Sequence, residues 1–442
     1  MRNRLTTLVT AGALAALAPL APVGAQQSGP AAWWRSLGDT ALAGLTEQAL
    51  AANHDVRAAL ARVDRARAAR RNAAFDLAPT VTVAAGYSHQ RTSSAAFGFA
   101  IPDRDLWDAE VRANWEVDLF GRLRGTLRGE GALTDAASAD ADDVRRAIAA
   151  ELALAWFDLK GAEQRLAVAQ GNADNQRRTL ALARELLDAG RGTEFDTERA
   201  AAQLATTLAS VPALEAFAAA ARHRIAVLVG QPPADDGFAG GGLDALPVEL
   251  PAFDIAVAVA GRPDVRAAER RVAASGAFVG AAKAEYLPRL TVGASAGYTA
   301  TALGQIGDAG TGRYLVGPVL SWPALNIGRV KKAVDAARAT EAEAREAHRQ
   351  VMLLAQAEIA TALAGYRGAR QQLALLAEAA GASERAAELA RLRFEEGLTD
   401  FLPVLDAERT LLAAQDRLAR VRTEAEAALV AVSRATAGGA MP

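Results

Sequence analysis

The sequence predicts a mainly α-helical fold with some β-structure, built as a duplicated unit of helix, strand, strand, long helix and helix. Three observations carry this. Four stretches alternate apolar and polar residues, two proline-free stretches of about 67 residues are patterned in heptads, and the second half repeats the first at shifts of 209 and then 207 residues.

The chain opens with Arg2 and Arg4, an apolar run from Leu5 to Leu17, and Val23-Gly24-Ala25, so residues 1–25 read as a secretory signal cut after Ala25. The run is too short to span a bilayer and is closed by Pro19 and Pro22. No later window of some 18–20 residues is apolar and uncharged, so any membrane crossing falls to strands. Composition points the same way: 51% of residues are hydrophobic but only 5% aromatic, and alanine supplies most of the excess. Small apolar residues suit closely approaching helices.

Residues 26–230 form the first repeat. Its first strand, about 80–91, places Val81, Val83, Ala85 and Tyr87 on one face. The second, about 105–119, is the strongest signal: Trp107, Ala109, Val111, Ala113, Trp115, Val117 and Leu119 face one way, and Asp108, Glu110, Arg112, Asn114, Glu116 and Asp118 the other. Alternation alone also fits an ordinary edge or sandwich strand. The two tryptophans, however, lie eight residues apart on the apolar face, about 26 Å at ~3.3 Å per residue, close to the ~25 Å apolar band of a membrane barrel with an aromatic at each interface. A long helix, about 121–187, follows; at ~1.5 Å per residue it reaches about 100 Å. Its heptads run through Leu152, Leu159 and Leu166 and through Ile148, Ala155 and Ala162. Gly190 ends it, and a return helix, about 194–229, carries Leu204, Val211, Ala218 and Ile225.

Residues 231–251, with Pro232-Pro233 and Gly240-Gly241-Gly242, are a linker; no Lys-Ser/Thr follows the glycines, which argues against a phosphate loop. The second repeat, 252–437, has strands at about 289–300 and 313–322, a long helix at about 328–394 and a return helix at about 400–435. Asp55-Val56-Arg57-Ala58-Ala59 recurs as Asp264-Val265-Arg266-Ala267-Ala268, Trp107 meets Tyr314, Trp115 meets Trp322, and Gly190 meets Gly397. The fourth strand conflicts with one rule, since Pro318 sits where a paired amide is normally needed.

Four amphipathic strands cannot close a barrel, and the smallest barrels need about eight. Other copies must complete it: two give about eight strands with a filled lumen, three give about twelve with room for a channel. Trp107, Trp115, Tyr314 and Trp322 are the expected membrane-interface aromatics.

In Trp33-Trp34, Ala49-Leu50-Ala51-Ala52-Asn53, Arg393-Phe394-Glu395-Glu396-Gly397 and Val404-Leu405-Asp406-Ala407-Glu408-Arg409, in their order and with the duplication, the chain resembles the TolC-like outer-membrane efflux proteins, in the NodT/OprM-like branch serving resistance-nodulation-division (RND-type) pumps. The resemblance covers nearly all of the chain after residue 25. It implies a homotrimer: a 12-stranded outer-membrane β-barrel continued by a 12-helix coiled-coil tunnel in the periplasm. It also implies a tripartite efflux system with a periplasmic adaptor (membrane fusion) protein and an inner-membrane RND-type transporter, and cargo of drugs, dyes or other toxic compounds. A type I protein secretion duct shares the fold and is the alternative; a soluble coiled-coil scaffold is a third reading.

The resemblance places a periplasmic gate at Leu402, Asp406 and Arg409, one helical face at i, i+4 and i+7. Three symmetry-related carboxylates converging on an axis would repel one another and attract cations; an ordinary i,i+3 ion pair is the competing reading. It places adaptor-contacting turn tips at Gly190, Arg191, Gly397 and Leu398. Many members carry a lipidated cysteine after the signal; this chain has no cysteine and would begin near Gln26, so anchoring would rest on the barrel.

Enzyme chemistry finds no support. The four histidines, His54, His89, His223 and His348, lack ligand-spaced companions and read as helix-surface or loop residues, and Asp142-Asp143 and Asp235-Asp236 read as solvated acids. No catalytic, metal or cofactor site is expected, and a net charge of −2 with dispersed arginines gives no case for nucleic acid.

Overall fold

The computed structural model describes residues 33–91, 93, 95, 98, 102–233, 238, 250, 253–396 and 398–437; the expected signal at 1–25, Asp235-Asp236, most of the linker and Gly397 lie outside the described residues. In chain order the elements are α1 (Thr40–Ala52), α2 (His54–Phe75), β1 (Thr80–Gln90), β2 (Arg104–Val117), α3 (Arg122–Asp188), α4 (Glu194–Leu228), α5 (Ile255–Gly261), α6 (Pro263–Ala284), β3 (Arg289–Ala300), β4 (Gly312–Ser321), α7 (Ile327–Glu395) and α8 (Leu402–Ala435).

Polar contacts fix how the short helices join the long ones. Asp39 caps α1, its Oδ1 accepting from the amides of Ala41 and Leu42 at 2.9 and 3.0 Å, and its Oδ2 accepts from the buried indole of Trp156 in α3 at 2.8 Å. Asn53 caps α2 through its Oδ1 and donates Nδ2 to the Leu228 carbonyl at the end of α4, 3.0 Å away. Arg262, 209 residues further on, donates to the Ala435 carbonyl at the end of α8, 207 residues beyond Leu228. Two different side chains thus solve the same problem, an unpaired helix-end carbonyl, in the two halves.

The four strands form one antiparallel sheet in the order β1-β2-β3-β4. Its register collects every apolar alternation onto one face: Val83 opposes Val111, Val111 opposes Ala296, and Ala296 opposes Tyr314. Within one protomer β4 is an edge strand, where proline is tolerated, so Pro318 does not interrupt the interior of the four-stranded sheet. At the helix-to-strand junctions Trp115 donates its indole N–H to the Leu77 carbonyl (2.9 Å) and Trp322 donates to the Tyr286 carbonyl (3.0 Å). Asp118 accepts from the amides of Leu123 and Arg124, which satisfies the start of α3.

α3 has 67 residues and α7 has 69, each about 100 Å long. Beside the sheet the helices lie in the order α2-α3-α6-α7, and away from it α4-α3-α8-α7. Leu152, Leu159, Ala155 and Ala162 of α3 are fully buried, whereas on α7 only a few residues, among them Ala355, Ile359 and Tyr366, are. Contrary to the expectation from uncharged windows, α4 is apolar enough by length and composition to cross a membrane, and only 22% of its apolar window is buried. Alanine raises its mean hydropathy, and α4 lies along α3, where Ala218, Ala221 and Ile225 join the buried cluster with Leu152 and Trp156.

Gly161 of α3 lies against Thr423 of α8, where an added Cβ would collide with the Thr423 side chain at Oγ1. Gly161→Ala is expected to destabilise the fold by about 1–3 kcal/mol, and adding Thr423→Ala should restore most of the loss; thermal melting of both variants checks this. Nearby, Glu426 is 6% exposed, and burial raises its pKa to about 7 against the opposing Arg422 at 3.8 Å. A carboxyl held above its ordinary value favours the folded state below pH ~4.5, and that advantage is lost as pH rises through about 7. Glu426→Gln should therefore leave the melting temperature at pH 5 little changed and raise it above pH 7, by up to ~3 kcal/mol of stability; equal shifts at both values would refute it.

Candidate functional site

Three places concentrate features that a conduit would use: the polar face of the sheet, the rims of the sheet, and the ends of the helices farthest from it. On the polar face, β1 and β3 contribute small uncharged residues between Thr80 and Gln90 and between Thr291 and Thr299. Charge comes from β2, from Arg289 at the start of β3, which is paired with Glu285 (3.0 Å), and from Arg313 on β4. Glu110 is paired by Arg112 and by Arg313 (2.8 Å), and Arg313 also reaches Asp108 (3.4 Å) and Thr299 Oγ1 (2.8 Å). Glu110 leans over Gly297, where an added Cβ would come within 2.2 Å of the Ala109 carbonyl.

On the apolar face the expected interface aromatics differ in setting. Tyr314 is 85% exposed and Trp322 57%, whereas Trp107 is half-buried against Tyr87, ring centroids 4.7 Å apart. Phe75, Leu119, Phe120 and Leu325 are exposed near the strand-to-helix junctions and add to the apolar rim. His89 is on strand β1 and within 2.9 Å of Asp105, so it is neither a helix-surface nor a loop residue.

At the far ends, Gly190 adopts φ +70°, and Arg191 N–H donates to the Leu186 carbonyl at 2.8 Å, the αL ending that glycine allows at no steric cost. Leu398 N–H donates to the Arg393 carbonyl at the same five-residue spacing. One turn into α8, Asp406 and Arg409 form an exposed i,i+3 pair at 2.9 Å, and Leu402 is 49% exposed at the helix start. The ion pair and an outward-facing Leu402, Asp406 and Arg409 are therefore both present in one protomer.

Beneath them is a polar seam that the sequence analysis did not single out. Glu408, 2% exposed, accepts from Thr179 Oγ1 of α3 (2.8 Å) and from Arg391 Nε of α7 (2.9 Å), so one carboxylate ties three helices. Further along, Asn172 donates to Gln415 Oε1 (2.8 Å) and Arg165 to Asp416 (2.7 Å). A signal existed: Val404, Leu411, Leu418 and Ala425 repeat every seven residues, and the positions four later are Glu408, Gln415, Arg422 and Leu429. The second line of the seam is polar for three heptads before it becomes apolar. An open cavity of about 330 Å³, lined by Thr179, Leu182, Arg391, Phe394 and Val404, adjoins this network. Asp142, read from sequence as a solvated acid, is half-buried beside Arg145, and its burial raises its pKa.

A family model described as outer membrane efflux protein matches residues 45–231 and again 255–438. The pyoverdine export outer membrane protein OpmQ of Pseudomonas putida is 30% identical, over 92% of this chain and 88% of its own length. Outer membrane protein OprJ of Pseudomonas aeruginosa is 28% identical over 95% and 91%. The solved structure of the outer-membrane channel OprN superposes with a TM-score of 0.86 at 39% identity, covering 93% of each chain. The paired matches, the mainly helical architecture and the coverage agree: the chain belongs to the outer membrane efflux protein family, and it is an outer-membrane channel protein with a periplasmic helical tunnel, not an enzyme.

Proposed function

We propose that three copies of this chain form the exit duct of a tripartite efflux pump, a 12-stranded barrel over a 12-helix tunnel built from the duplicated unit, which passes small molecules received from a periplasmic adaptor and an inner-membrane transporter. The observation that carries this reading is the pair of unlike edges each protomer presents. One side offers β1, α2 and α4; the other offers β4 and α7. Phe195, Phe217 and Val227 are exposed on α4, and Leu354, Leu375, Leu389 and Leu392 on α7. Unlike edges join head to tail, and such contacts close into rings when the rotation permits. The polar sheet face then lines the lumen, and the apolar face meets lipid.

In this arrangement Leu402, Asp406 and Arg409 form the periplasmic gate, and Gly190, Arg191, Gly397 and Leu398 are the turn tips that meet the adaptor's helical hairpin. Small-molecule cargo is favoured over protein because the relative OpmQ is named for pyoverdine export. The assembly is tested by recovering the protein from outer membranes as a heat-modifiable trimer, and the cargo by deleting the gene. Increased sensitivity to drugs or dyes is the expected result; unchanged sensitivity with loss of a secreted protein would replace efflux by type I secretion.

A further inference from the structure

Ion pairs on the polar sheet face are not spread evenly. The cluster built on Glu110 sits where β2 passes between the uncharged faces of β1 and β3, and Arg313 reaches it from β4 across Gly297. Glu110's side chain is 5% exposed, while those of Arg112 and Arg313, which cover it, are 59% and 44% exposed. The carboxylate is thus underneath and the guanidiniums are on top. Gly297 makes this possible: no side chain fills the space beside Glu110, so the carboxylate can lie down on the strand and draw both arginines after it. Asp108 helps hold Arg313 through Thr299, whose hydroxyl donates to Asp108 Oδ1 at 2.6 Å and accepts from Arg313 Nε at 2.8 Å. Among the described residues Arg112 has no such second tether; its ion pair is with Glu110.

We propose that Glu110 is a positioning residue that sets the ion selectivity of the barrel lumen, by pinning Arg112 and Arg313 flat against the wall and cancelling their charge. The inference rests on the reading of the polar face as a lumen. With Glu110 in place each protomer contributes two carboxylates and two guanidiniums to this level, and the belt is neutral. Without its charge the belt carries one uncompensated cation per protomer, three around the ring, and Arg112 is free to extend into the path. Fixed charge lining a narrow low-dielectric passage is what selects between small anions and cations.

The test is the reversal potential of the full-length trimer in planar bilayers across a KCl gradient at low ionic strength, where the screening length is on the order of 30 Å at 0.01 M. All chains carry Asp406→Ala, so that the carboxylates proposed for the gate do not dominate the comparison. Glu110→Gln should lower the K+ over Cl− permeability ratio by at least about threefold, and adding Arg112→Gln should return it toward the parent value. A conducting Glu110→Gln channel with unchanged selectivity overturns the proposal, as does failure of Arg112→Gln to reverse the shift. Should Glu110→Gln not assemble, Arg112→Gln alone decides: a rise in the ratio supports the proposal and no change overturns it. Absence of any conductance from the parent trimer would instead refute the lumen reading itself, a distinguishable result.

Discussion

Asp406→Ala is expected to raise the mean single-channel conductance of the reconstituted trimer and to weaken its block by divalent cations. In each protomer Asp406 holds Arg409 at 2.9 Å, and the two side chains are 64% and 70% exposed, so a single pair is worth little by itself, ~0.2–1 kcal/mol. Because the pair lies within one helix it does not itself bridge protomers; the expected rise comes from replacing a charged side chain by a methyl group at each of the symmetry-related positions of the proposed gate, which widens it. Removing the carboxylate also takes away the negative charge that would draw cations to the axis. Unchanged conductance together with unchanged cation block would show that this face of α8 does not line the constriction.

Glu408→Ala should be the most destabilising change near the tip. Its carboxylate is buried and satisfies Thr179 and Arg391 at once, so truncation strands a guanidinium that has only one-third of its side chain in water. Removing one partner of a fully buried pair costs about 3–5 kcal/mol; the partial exposure of Arg391 reduces this to ~1–3 kcal/mol. Glu408→Gln keeps an acceptor for Thr179 and should recover part of the loss, whereas Glu408→Leu strands Arg391 and Thr179 as Glu408→Ala does and should recover only the packing lost with the side chain. Thermal dissociation of the trimer separates these outcomes. Equal melting of Glu408→Ala and the parent would remove the carboxylate from any structural role.

The alternation from Trp107 to Val117 is readable from sequence because each residue's face depends only on its own position, and the sheet register places those residues together. Heptads in α3 were equally plain, because Leu152 and Leu159 bury themselves against neighbours within the chain. The apolar heptads of α7 are also visible, yet most of that helix is exposed in the protomer, since its pattern is written for a surface the chain does not itself contain. The roles of Glu408 and Glu110 are not readable, for a different reason. Their meaning lies in partners 229 residues away at Thr179 and 203 away at Arg313, and no local periodicity announces such a meeting. The Asp39 link to Trp156 is of the same kind: an N-cap is readable locally, but its second oxygen is committed across 117 residues.

The unlike edges described above have a consequence for biogenesis. The chain has two bare strand edges and apolar residues exposed on α4 and α7, so in the proposed ring it supplies half of two interfaces and the whole of none. For such a protein, folding and association are one equilibrium, and stability varies with the concentration of the chain itself. Unpaired edges template the wrong partner as readily as the right one. If three copies close the ring as proposed, the dangerous interval is the time before closure, and substitutions on β4 or α7 that leave a single protomer untouched should first show themselves as lost yield rather than as lost transport.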